Sequence, residues 1–127
     1  MGRSILISPG NDEDLNNRGG IGFAYQTAVF ECIVEGIRAH FQCNEQQCLK
    51  QCFEDLDELC MDYVCLYDVE PVCYNLFFHA AEVGLQQLKE TGDVAIDRQV
   101  TEAFVSNIVR EWEQLMIELR KDRRYRS

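Results

Sequence analysis

Apolar positions in this chain fall into long stripes, and most of the stripes carry the period of an α-helix. The fourth is the cleanest. Phe104, Val105, Ile108, Val109, Trp112, Leu115, Met116 and Leu119 recur at helical spacing and predict a helix over about 98–120, with Asp97 as its N-cap. The third runs from Pro71, a favoured first helical position, to Thr91, where Gly92 supplies a left-handed stop. The second, over 45–67, sets Cys48, Leu49, Cys52, Phe53, Leu56, Leu59, Cys60, Tyr63, Val64 and Tyr67 on one arc. Asn44 stands where its N-cap would be, with Gln47 three residues on. The first, over 21–40, is polar only along Thr27, Glu31, Glu35 and Arg38. A helix apolar over so wide an arc is expected at the centre of a bundle or at a subunit interface.

Residues 1–20 break the helical pattern. Ile5, Leu6 and Ile7 fit a short strand or an apolar anchor, Pro9-Gly10-Asn11-Asp12 reads as a turn, and Asn16 to Gly20 is a polar, glycine-bearing link. The prediction is an all-α fold: an antiparallel four-helix bundle over 21–127, with 1–20 as an irregular N-terminal arm.

Charge narrows the partners. The net charge is −10, and five of the twelve basic residues crowd the C-terminus from Arg120 to Arg126, so residues 1–119 carry −14. A body this acidic repels nucleic-acid phosphates and speeds encounter with basic protein surfaces. The basic tail reads as a frayed, solvated helix end. Charged residues interrupt every apolar stretch before it could span a membrane, and Ser4–Ser8 is too short for a targeting core. The expected location is therefore a reducing cytoplasm.

Six of the seven cysteines lie within residues 43–73. Most fall on apolar arcs, where free cysteine packs as a small hydrophobe. A second reading is a zinc or iron–sulfur site at His40, Cys43, Cys48 and Cys52, whose imidazole and thiolates suit such a centre, although tight C-x2-C pairs are absent. A third is disulfide bonding, with Cys32–Cys52 and Cys65–Cys73 as the pairs an antiparallel bundle would bring together.

No constellation of nucleophile, base and oxyanion donors is apparent, so the chain is expected not to be an enzyme. His79 precedes Glu82 in the reverse of the di-iron order, and Gly19-Gly20-Ile21-Gly22 matches no phosphate-loop pattern. The most usable feature is the acidic face of the second stripe, where Glu54, Asp55, Asp57, Glu58 and Asp62 crowd two turns. It predicts an inhibitor or immunity-type protein that docks on a basic protein surface. The alternatives are the His/Cys metal module and a structural subunit of a helical oligomer, of which a homodimer is the modest form.

Overall fold

The computed structural model describes residues 3–8, 21–41, 46–94 and 100–126. Its elements in chain order are β1 (Arg3–Ser8), β2 (Ile21–Tyr25), α1 (Thr27–Arg38), α2 (Gln46–Asp57), β3 (Tyr63–Cys65), α3 (Pro71–Thr91) and α4 (Glu102–Lys121). The all-α antiparallel four-helix bundle is thus overturned. The four helices share their core with a three-stranded mixed sheet of order β2-β1-β3. β1 pairs antiparallel with β2 and parallel with β3.

Two segments that look helical in sequence are strands, for the same reason. Phe23 and Tyr25 alternate with Gly22 and Ala24, and Val64 and Leu66 alternate with the half-buried Tyr63, Cys65 and Tyr67. Aromatic and β-branched residues at period two fit a pleated surface. A short run can satisfy both periods, and here the neighbouring strand decides between them. That neighbour is β1, the central strand, whose Ile5 and Ile7 are buried. The segment expected to be an arm laid on the body is therefore built into the sheet. Residues 9–20 lie outside the described part.

α3 runs from Pro71 to Thr91, and Gly92 ends it in the left-handed conformation at φ 72°. α4 starts later than predicted. Thr101 caps it by accepting a hydrogen bond from the Phe104 N–H (3.1 Å), while Asn44 and Asp97, the caps read from sequence, lie outside the described residues. α3 and α4 run antiparallel: the buried Tyr74 hydroxyl donates to the Leu119 carbonyl (2.6 Å), and Lys89 meets Glu113 (2.7 Å).

Trp112 of α4 sits where α1 and α3 cross. A Cβ at Gly36 would stand 2.7 Å from Trp112 Cη2, and one at Gly84 would stand 2.8 Å from the Gly36 carbonyl oxygen. Both glycines are there because a large indole and a close helix crossing leave no room for a side chain.

The C-terminal segment is not the frayed end that its charge suggests. Arg124 turns back into the fold and places all five guanidinium N–H groups. Nη1 donates to the carbonyls of Leu66 and Val69 (2.9 Å to Val69), and Nη2 to the Ile7 carbonyl (2.8 Å). Nε and Nη2 also grip the two carboxylate oxygens of Asp122, each at 2.9 Å. The plane lies 4.2 Å from the Tyr74 ring centroid. The β1–β2 register shifts between Leu6 and Ser8, so the Ile7 carbonyl faces arginine at an irregular point of the ladder.

Candidate protein-docking surface

α2 carries the acidic face, and packing decides which of its carboxylates are free. Cys52 and Phe53 are buried on its inner side. Phe53 lies against Phe77 and Phe41, with centroids 5.8 and 6.1 Å apart. A disulfide joins Cys48 to Cys73, so α2 runs alongside α3 in the same direction. With that side fixed, Glu54, Asp57 and Glu58 stand in solvent, Asp55 is half-buried, and Asp62 is exposed beyond the turn.

These five predicted site residues divide into two kinds. Asp57 accepts two hydrogen bonds from the Arg38 guanidinium, the longer of them 3.0 Å from Nη2. Arg38 also reaches Glu35 at 3.1 Å and lies over the Phe53 ring at 4.6 Å. Its charge is reinforced chiefly by the Asp57 hydrogen bond. Asp57 is therefore a brace between the C-terminal ends of α1 and α2. Glu58 faces Lys50 at 3.6 Å across two well-exposed side chains, a weak pair. Glu54, Asp55 and Asp62 have no salt bridge among the described residues.

The turn after α2 completes the surface. The Glu58 and Leu59 N–H groups donate to the Glu54 carbonyl (2.8 and 3.2 Å), Met61 N–H to the Asp55 carbonyl (2.9 Å), and Ser4 N–H of β1 to the Asp62 carbonyl (3.1 Å). Cys60 adopts φ 54° between them. On the far side of β3, Asp68 and Glu70 are exposed, and the Glu70 N–H donates to the Gln51 side chain (3.2 Å), which keeps this acid beside α2. Sequence spacing could not place Glu70 there, because it treated 45–67 as one unbroken helix.

The cysteines realise parts of two readings. Cys32, Cys52 and Cys73 are buried, whereas Cys60, assigned to the apolar arc, is exposed. The bridge is Cys48–Cys73 rather than Cys32–Cys52 or Cys65–Cys73, and Cys52 and Cys65 keep free thiols. The Cys52 thiol donates to the Cys73 carbonyl at 3.9 Å, and burial pushes it up to about 12 against a weaker pull from Arg124. Of the metal set, Cys48 is held in the disulfide, Cys43 lies outside the described residues, and His40 borders a separate cavity of about 230 Å³ with Asp93, Thr91 and Trp112. Among the described residues no group of three or more His, Cys, Asp or Glu side chains is arranged to hold a metal ion. Nor is any described helix long and apolar enough to cross a membrane.

No protein-family model matches the sequence, and comparison with curated proteins finds no match. The fold does match a solved structure, that of a CdiA-CT toxin from Burkholderia pseudomallei E479 in complex with its cognate CdiI immunity protein. The TM-score is 0.71 at 18% identity, over 96% of this chain and 97% of that chain. At this identity the likeness establishes the α/β fold alone. It also corrects the expectation that the chain is not an enzyme. The complex that shares the fold includes a toxin, so a missing sequence motif is no ground for excluding catalysis.

Proposed function

We propose that this chain is an immunity-type protein that binds a toxin domain through the acidic surface at the end of α2. The observation that carries the reading is the set of carboxylates with no salt bridge among the described residues, Glu54 and Asp62 with half-buried Asp55 between them in sequence, on a chain of net charge −10. Carboxylates left free in the unbound protein draw in a basic partner and fix its orientation. The comparison supports the class, since the similar structure is a complex between a toxin and the protein that neutralises it. It equally admits a toxin-type role for this chain, and growth separates the two.

The test is to induce a panel of CdiA-CT toxin domains, the Burkholderia one included, in bacteria with and without this chain. Rescue of growth from one toxin, lost in the Glu54→Lys/Glu58→Lys/Asp62→Lys variant, is the expected result. Growth arrest by this chain expressed alone would assign it to the toxin class. Failure to rescue from any toxin in the panel would also overturn the proposal. Asp57 is left out of the variant, because its reversal would loosen the brace to Arg38.

A further inference from the structure

Five large hydrophobic side chains stand exposed among the described residues: Leu59, Met61, Val72, Val83 and Ile117. The last three lie on the regular helices α3 and α4, where exposed apolar side chains are ordinary. Leu59 and Met61 differ. They are two residues apart on one turn, 60% and 41% exposed, and every residue from Asp57 to Asp62 around them is exposed too. Main-chain hydrogen bonds to Glu54, Asp55 and Ser4 pin the turn, so these side chains project from a fixed backbone. Glu54, Glu58 and Asp62, all exposed, flank them in sequence.

We infer that Leu59 and Met61 are the apolar anchors of the docking surface, and that the partner protein presents a shallow apolar pocket ringed by lysine and arginine. This rests on the binding role proposed above and says where its affinity resides. Charge complementarity names the occupant: an exposed apolar pair flanked along the chain by exposed carboxylates fits an apolar recess bordered by cations. Exposed rim charges govern encounter and are screened by salt. Desolvated apolar anchors at the centre govern residence, and a few such residues carry most of the binding energy. A turn already held in its bound shape also loses little conformational freedom on association.

The two contributions separate in one experiment. Binding to the toxin domain that the wild-type chain neutralises is measured by biolayer interferometry at low and at high salt. Three forms are compared: wild type, Leu59→Ser/Met61→Ser, and Glu54→Lys/Glu58→Lys/Asp62→Lys. The apolar variant is expected to lose at least about tenfold in affinity, mostly through faster dissociation, at both salt concentrations. The charge variant is expected to associate more slowly, with the difference shrinking at high salt. An apolar variant that binds within about twofold of wild type, while the charge variant is weakened, would overturn the anchor role and leave the acidic surface standing. A wild-type chain that binds no toxin would remove both. Concentration-dependent dimers that disappear in the apolar variant would assign the pair to a second copy of this chain and overturn the proposal. Because both side chains are exposed, the melting temperature of the apolar variant checks that its fold is intact.

Discussion

Replacing Arg124 by methionine should unfold this protein far more readily than replacing any of the neighbouring basic residues. Methionine keeps part of the stem and deletes five N–H donors. The carboxylate of Asp122, whose side chain is 6% exposed, then keeps no guanidinium partner, and the arginine it loses is itself only 12% exposed. Breaking such a pair from one side costs about 3–5 kcal/mol, because the remaining charge stays buried. The carbonyls of Ile7, Val69 and Leu66 lose a charged donor as well, although Leu66 keeps the Val69 N–H at 3.3 Å. These losses overlap, so the expected total is about 4 kcal/mol rather than their sum. Asp122→Asn leaves the three carbonyl bonds in place and should cost only about 1–2 kcal/mol.

Urea titration followed by circular dichroism measures both, and the midpoint should fall with an unchanged slope. The pH dependence gives a second signature. Burial alone would raise the Asp122 carboxyl, but hydrogen bonds from the Arg124 side chain and main chain, and its charge, hold it below the ordinary value. A carboxylate depressed in the folded state contributes stability that is complete above its unfolded value of about 4 and is lost as pH falls through the folded value. Stability of the wild type should therefore drop over that acid range, and Asp122→Asn should flatten this part of the drop. A loss below about 1 kcal/mol for Arg124→Met would refute the reasoning and return the C-terminus to the frayed end its sequence suggests.

The remaining predictions concern packing, cysteines and the acidic face. Gly84→Ala should cost about 2–3 kcal/mol in the same titration, because its Cβ would meet a backbone oxygen at 2.8 Å; Gly36→Ala should cost somewhat less, since it presses on the Trp112 ring. Cys48→Ser/Cys73→Ser should lower stability by up to about 3.5 kcal/mol, the entropy regained by the unfolded chain on opening a loop of 25 residues, and equal stability with and without reductant would count against the bridge. Alkylation of the native protein at mildly alkaline pH should label exposed Cys60 and leave buried Cys52 for the unfolded state, as peptide mass mapping would show. Asp57→Asn should lower the melting temperature slightly, for a loss of about 1 kcal/mol or less, and leave the proposed toxin binding unchanged.

The long helices were legible because they are periodic over many turns. α3 shows both of its end signals, Pro71 and Gly92, and α4 its stripe from Phe104 to Leu119. Of the strands, only β1 was legible, as one of two readings of Ile5 to Ile7; the other two were not, because each is short and its partner is remote. Ile21–Tyr25 pairs with residues near the chain start, and Tyr63–Cys65 does so across more than fifty positions. A helix needs only its neighbours, whereas a strand needs a partner that local pattern cannot reveal. The break at Cys60 was hidden for a related reason, since a positive φ at a non-glycine residue leaves no mark in composition. The acidic face itself was visible as a run of charges. What the sequence hid was their division, because the cation bracing Asp57 is Arg38, nineteen positions away.

That division links fold to function. A carboxylate tied to a cation of its own chain is already partly neutralised and must give up that partner before it serves another. Arg38 binds Asp57 where α1 meets α2, and Arg124 binds Asp122 where the C-terminus meets β1 and the β3–α3 connection. Both arginines also lie over an aromatic ring of the core, Phe53 and Tyr74. These two arginines thus serve joints of the scaffold rather than the outer acids. Among the described residues Glu54 and Asp62 have no salt bridge, and they lie in sequence on either side of Leu59 and Met61, at a turn that hydrogen bonds hold in place. Like charges gathered there lower the stability of the isolated protein, and that cost is relieved only when an outside cation approaches. On the proposed reading, the charge crowding that makes this end least favourable alone is what a basic partner would relieve.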